Sequence, residues 1–288
     1  MTVALEALLS ERAVNCGFYW RGENHTGSIQ VWEDAATRDP VYAAVSAKDE
    51  DEERRKTAGT VEVLKRSLND GVCLDIGCGY GRIAKYLLPN RRLAGYIGID
   101  GSVMMLQFFS DRYTKSDQEK RTPLLLINAD IDELLLKDRS VDNVIVAAVF
   151  LHNHKSVIQK SIDEIYRVMK PGAKLFVFSS LPNRRSLRGL QGVLYLWALR
   201  LLGQGAKNGP VRFFSKSEVT HLFRNFKNTE IYPVGFSMMP KSLVIFPKSW
   251  GPFYRGAVYP RLESLARLVL PGELKRPFCA HYDIIAYK

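Results

Sequence analysis

Cysteine is scarce in this chain of 288 residues: Cys16, Cys73, Cys78 and Cys279 are scattered and form no CxxC pair. That spacing argues against a disulfide framework or a thiolate zinc site and leaves reduced thiols in a cytosolic protein. Long apolar runs are lacking as well. The greasiest stretch, residues 190–202, carries Arg200 and is too short to cross a bilayer. The opening residues, MTVALEALLSER, contain an early Glu6 and no positive n-region, so no secretory leader is expected. No internal repeat or low-complexity tract is visible. With 46% hydrophobic and 25% charged residues, the chain can bury a core without disulfides or a structural metal. A soluble, cytoplasmic protein is the expectation.

Acidic residues are thin in one region. Residues 171–288 hold 18 Lys and Arg against 5 Asp and Glu, a balance of +13, whereas the first 170 hold 23 against 25, a balance of −2. The basic character therefore belongs to the C-terminal part, which suits an anionic partner or simply a basic solvated surface.

What is present is a rhythm. Residues 1–50 are aromatic and irregular and read as a helical flap on a core. A charged run opens a helix with Val61, Val63, Leu64 and Leu68 on its apolar face, and Gly71 is placed to end it. Five short apolar runs follow at 72–76, 96–100, 124–127, 144–149 and 174–178, with helical patterns between them, notably 83–88 and 157–169. Strands apolar on both faces and separated by helices predict an α/β fold, a doubly wound parallel sheet covered on both sides. Beyond Ser180 the alternation gives way. A helix begins near Ser215, strands are expected at 229–236 and 282–287, and two irregular insertions are placed to cap the strands' C-terminal edge, where ligands bind in such sheets. The expected divisions are 1–50, 51–180 and 181–288.

The chemistry is concentrated in Val72-Cys-Leu-Asp-Ile-Gly-Cys-Gly-Tyr-Gly-Arg82. A buried strand runs into a tight turn with glycines at 77, 79 and 81, and a helix follows. Missing side chains let a ligand approach the backbone closely, and the exposed amides favour a carboxylate or phosphate. The dinucleotide fingerprint GxGxxG is absent, because its third glycine would fall at Arg82. The spacing is GxGxG, with Asp75 two residues before Gly77. A carboxylate beside the turn repels a diphosphate and attracts a cationic ligand, which argues against a nucleotide-dependent oxidoreductase.

This segment resembles motif I of class I S-adenosylmethionine-dependent methyltransferases, and the rest of the core resembles that family in order. The resemblance spans about residues 55–180 and is nearest to quinone-type and small-molecule methyltransferases, a group that shades into tRNA methyltransferases. It implies a Rossmann-like sheet of strand order 3-2-1-4-5-7-6 with the last strand antiparallel. It also implies S-adenosylmethionine as cofactor, with Asp75, Gly77, Cys78, Gly79 and Gly81 under its methionine and ribose part. Asp100, in Gly98-Ile-Asp-Gly-Ser102, would accept the ribose hydroxyls, with Gly101 and Ser102 beside it; a plain helix-capping Asp is the alternative. Asp130 would accept the adenine amino group and Ile131 would pack on the ring, with Asp132 as a weaker choice. In Leu151-His-Asn-His154 the preceding main chain faces the methionine amine, through either Ala147 or Ala148. The run Arg167-Val-Met-Lys-Pro-Gly-Ala-Lys174 is a further landmark.

His152 is the candidate acceptor-facing catalytic residue; His154, His281 and Tyr282 rank below it. The HxH pair lacks a nearby carboxylate set with ligand spacing, so no metal is expected. Residues 190–202, flanked by Arg184, Arg185, Arg188 and Lys207, read as a helix apolar nearly all round. Three readings stay open: a cap over an apolar acceptor pocket, a surface helix touching membrane lipid, or a dimer or core helix. Phe213, Phe214, Phe246, Trp250, Phe253 and Tyr254 suit a hydrophobic pocket or ordinary core. The favoured acceptor is a hydrophobic or amphipathic small molecule such as a quinone, lipid or secondary metabolite, with RNA second. A donor-binding protein without activity is a third class, since in-line methyl transfer requires no catalytic side chain.

Overall fold

A computed structural model describes residues 4–15, 20–22, 49–89, 92–114, 122–186, 212–236 and 278–288, with isolated positions in 32–47, 189–201 and 253–265. Much of the two expected insertions, including Arg188, Lys207, Phe246, Trp250 and Tyr254, lies outside the described residues.

Nine strands of the described residues form one sheet: β1 (Ala13–Asn15), β2 (Trp20–Gly22), β3 (Gly71–Ile76), β4 (Leu93–Asp100), β5 (Leu124–Asn128), β6 (Val141–Ala147), β7 (Met169–Pro182), β8 (Asn228–Phe236) and β9 (Cys279–Tyr287). Their order is β1-β2-β5-β4-β3-β6-β7-β9-β8. Counted from β3, the seven strands β3 to β9 follow 3-2-1-4-5-7-6, and β9 runs antiparallel to both its neighbours. This is the expected Rossmann-like order. The 1–50 segment departs from a purely helical flap: β1 and β2 pair antiparallel, and β2 extends the sheet parallel to β5. Helical positions recur at Trp32, Glu33, Ala36 and Val41.

The helices are α1 (Glu50–Ser67), α2 (Ala84–Leu87), α3 (Val103–Thr114), α4 (Lys155–Val168) and α5 (Lys216–Leu222). Asp49 caps α1 by accepting the Glu52 amide at 2.7 Å, and the acids of its first turn suit the positive helix end. Gly71 does not end α1, which stops at Ser67. It opens β3 at φ 120°, where a Cβ would lie 2.3 Å from a carboxylate oxygen of Asp142. The helix expected near Ser215 begins there with a reciprocal capping box between Ser215 and Glu218.

Strand alternation divides the core in two. Leu74, Ile97 and Val144 face Ile158, Ile162 and Ile165 of α4, while Cys73, Tyr96 and Ile145 face Leu64 of α1 and Leu106 of α3. Both faces are covered, so the strands read as continuous apolar runs, and polar groups are left at their ends.

Arg167, in the landmark run before β7, fixes the chain that follows β5. Its guanidinium donates to the carbonyls of Leu134 (2.9 Å) and Leu136 (2.8 Å) and to Glu164 and Asp138 (2.7 Å each). These partners raise its pKa further above the ordinary range, Glu164 first. A Lys cannot span two carbonyls and two carboxylates with one ammonium. Arg167→Met should lower stability by about 2–4 kcal/mol, because it strands partly buried acceptors. Arg167→Lys should recover less than half of that in urea unfolding; full recovery would mean that charge alone matters.

Candidate functional site

The carboxyl ends of β3, β4, β5 and β6 open into one cavity of about 640 Å³. Gly77, Cys78 and Gly79 of the turn after β3 form its floor, whereas Gly81 does not line it. Gly77, Gly79 and Gly81 have φ of 66°, 53° and 79°, a region that side chains disfavour. A Cβ on Gly77 would lie 2.4 Å from Val149, and one on Gly81 would lie 2.6 Å from the Phe109 ring. At Gly79 nothing stands within 4 Å, so its missing side chain leaves open space over the cavity floor. The turn is tied to β4: the amides of Gly77 and Cys78 donate to the Ile99 carbonyl at 2.7 and 3.0 Å.

Asp100 completes that tie. One carboxylate oxygen accepts the Gly79 amide at 2.8 Å and the other accepts the Ser102 amide at 2.9 Å. Each oxygen keeps a lone pair, so the group can still accept hydroxyls from the cavity that it lines. Burial raises its pKa, and the two amide hydrogen bonds oppose that rise. Gly101 also lines the cavity. Ser102 does not; it is buried, and its hydroxyl accepts the Met105 amide at 3.2 Å to start α3. Asn128 joins the neighbouring strand end by donating to the carbonyls of Asp100 (3.1 Å) and Gly101 (2.7 Å).

Asp130, Ile131 and Asp132 line the cavity beyond β5, and Ile131 leans on the apolar core. At the end of β6 both Ala147 and Ala148 line it. Ala148 is left-handed at φ 62°, and its amide is occupied by the Phe178 carbonyl at 2.9 Å. His152 reaches the wall and packs edge-on against Trp32, with ring centroids 5.1 Å apart. Burial lowers its pKa, so the ring is neutral near pH 7. His154 lies outside the cavity, at the start of α4. His281 and Tyr282 lie outside it too: the His281 ring approaches Ser179 (3.5 Å) and Asp283 (3.4 Å), and Tyr282 belongs to the core.

Asp75 is the buried charge of the site. The Tyr96 hydroxyl donates to it at 2.6 Å. Burial pushes its pKa up to about 7 against the opposing pull of Tyr96 and Arg82, and Asp100 raises it further. Cys78 is buried beside it, and burial first, then Asp100 and Asp75, hold its thiol well above its ordinary pKa.

Four contributors from the N-terminal segment carried no local signal: Trp32, Glu33, Ala36 and Val41. The carboxylate of Glu33 accepts the amides of Val103 (2.7 Å) and Met104 (3.3 Å) at the start of α3. Ala36 and Val41 pack on Tyr80, Met104 and Met105. Together with Trp32 they bring the N-terminal segment over the glycine turn. Tyr96 did leave a clue, because a tyrosine inside a strand apolar on both faces needs a partner for its hydroxyl. Among the described residues, no group of three or more His, Cys, Asp or Glu is placed to hold a metal.

Residues 74–177 match the family model described as a methyltransferase domain. That span, about a third of the chain, holds the glycine turn, Asp100 and Asp130. Over 127 residues the chain is 33% identical to 2-phytyl-1,4-naphtoquinone methyltransferase of Nostoc punctiforme, covering 43% of this chain and 52% of that protein. The chain thus spans about half the length of the curated relatives it matches. A structure of an S-adenosylmethionine-dependent methyltransferase from Archaeoglobus fulgidus superimposes with a TM-score of 0.52 at 16% identity, covering 91% of this chain and 100% of that one. Phosphoethanolamine N-methyltransferase 2 of Haemonchus contortus, solved with phosphomonomethylethanolamine and S-adenosylhomocysteine, superimposes at 0.51 with 17% identity, covering 80% of this chain and 52% of that one. Both likenesses concern the fold.

The residues fit S-adenosylmethionine. The open floor at Gly79 admits its backbone-hugging part, Asp100 offers acceptors for ribose hydroxyls, and Asp75 offers a carboxylate to its cationic end. A cationic donor favours the ionised form of Asp75, so binding weakens as falling pH protonates the group near pH 7. Calorimetry should show affinity falling about tenfold from pH 8 to pH 6, with Asp75→Asn flattening the profile. A flat wild-type profile would place the charge contact elsewhere.

Proposed function

We propose that this chain transfers a methyl group from S-adenosylmethionine to an N or O atom of a hydrophobic or amphipathic small molecule. One observation carries the reading. The residues suited to the donor and the His152–Trp32 pair share a single cavity, so donor and acceptor can meet there. The Nostoc relatives, named for a phytyl naphthoquinone, support an apolar acceptor.

When bound, the donor supplies an electrophilic methyl carbon on a sulfonium. Asp75, Gly79 and Asp100 would hold that donor so that an acceptor lone pair at the His152 wall could meet the methyl carbon in line, the carbon–sulfur electron pair staying on the departing thioether. The protein's part is placement and exclusion of water. Trp32 fixes one face of the His152 ring, whose nitrogens make no hydrogen bond with other described residues. Kept neutral by burial, that ring can take the proton of an acceptor hydroxyl or ammonium.

RNA is the second reading, favoured by the +13 balance of residues 171–288. Incubation with methyl-labelled donor and a cell extract separates the two. Label should enter the organic-soluble fraction, and His152→Ala should cut that rate by about 10²-fold or more with donor affinity changed less than threefold. Label in nuclease-sensitive RNA would overturn the small-molecule reading.

A further inference from the structure

Between Lys174 and Glu218 the sequence contains seven Lys or Arg and no Asp or Glu. Within this stretch the described positions 189–190, 192–194, 197 and 201 are helical. Hydrogen bonds from the Gly189 amide to the Ser186 hydroxyl (2.9 Å) and from the Leu190 amide to the Ser186 carbonyl (2.8 Å) begin the helix.

Two glycines press it against the body. A Cβ on Gly189 would lie 2.2 Å from the Asn183 carbonyl oxygen, and one on Gly192 would lie 2.5 Å from the Phe213 ring. Leu190, Val193, Leu194, Trp197 and Leu201 follow the i, i+3, i+4, i+7, i+11 spacing of one helical face, a face that excludes Gly192. All five are exposed, and Leu194, Trp197 and Leu201 are 65%, 62% and 67% exposed. None of them lines the cavity. The apolar face looks outward, as a cap over the acceptor would not.

We infer that this stripe is a docking surface for an anionic lipid bilayer, on which the helix lies flat. An interfacial helix combines an apolar face with basic surroundings and an aromatic that tolerates the headgroup boundary. Trp197 sits near the middle of the stripe, and the exposed side chain of Arg185 stands at its start, next to Arg184, which is paired with Glu218 at 2.9 Å. In a second copy the same stretch would again bring cations and no carboxylate of its own. RNA needs bases stacked on several aromatics, whereas this face is aliphatic with one tryptophan. No described helix is long and apolar enough to cross a membrane, so the contact is peripheral. The inference stands apart from the acceptor's identity.

The test uses the full chain without donor or acceptor, sedimented with phosphatidylcholine vesicles that lack or contain about 30% phosphatidylglycerol. Binding should require the anionic lipid, weaken with added salt, and fall at least about tenfold in a Leu194→Ser/Trp197→Ser variant of unchanged thermal unfolding. Arg185→Glu, off the apolar stripe, should weaken it as well. Failure to bind anionic vesicles, or binding that the serine variant leaves intact, would overturn the inference. So would a dimer in light scattering that the serine variant dissolves, or retention on a stem–loop RNA abolished by the same variant. None of these results bears on where the methyl label goes.

Discussion

The turn after β3 exists because three of its positions carry no side chain. Gly77 and Gly81 are filled from behind by Val149 and Phe109, while Gly79 stays open in front. A turn that tight leaves amides that must be satisfied, and the β4 strand end satisfies them: the Ile99 carbonyl takes two and Asp100 takes a third. Asp100 is therefore held in place before any ligand arrives. A carboxylate fixed by its own backbone presents its remaining lone pairs without an ordering cost at binding, which is what a ribose-sized diol requires.

The neighbouring strand ends are built by the same logic. Asn128 spends its amide on two carbonyls of the β4–α3 turn, and Arg167 spends its guanidinium on the chain after β5. Each is a long-range clamp that turns a loop into a rigid edge. The N-terminal segment is joined to the same edge through Glu33 at α3 and Trp32 at His152. The cavity floor and the His152–Trp32 wall thus share a frame, with the buried Asp75–Tyr96 pair beneath it.

Much of this was legible in the sequence, for a physical reason. Strands buried on both faces must be apolar on both faces, so their ends stand out where polar residues begin, and Asp75, Asp100 and Asp130 all fall at such places. The inner sheet order came through the family resemblance rather than from the residues themselves. The strands β1 and β2 were illegible: three residues each, Ala-Val-Asn and Trp-Arg-Gly, hold no period, and they exist through pairing with each other and with the edge at β5. Trp32 and Glu33 were equally hidden, since their partners lie 120 and 70 residues away. Ser102 illustrates the opposite error. It sits beside the donor motif, yet its hydroxyl is spent on capping α3, so proximity in sequence overstated its part.

A glycine turn tied to Asp100, with Asp75 beside it, suits S-adenosylmethionine rather than a dinucleotide. Calorimetric titration of the wild-type chain with S-adenosylhomocysteine, repeated in the presence of excess NADH, tests it most directly. The account predicts one-to-one binding that NADH leaves unchanged, because Asp75 beside the turn repels a diphosphate. Displacement by NADH, or heat from NADH alone with none from S-adenosylhomocysteine, would contradict it.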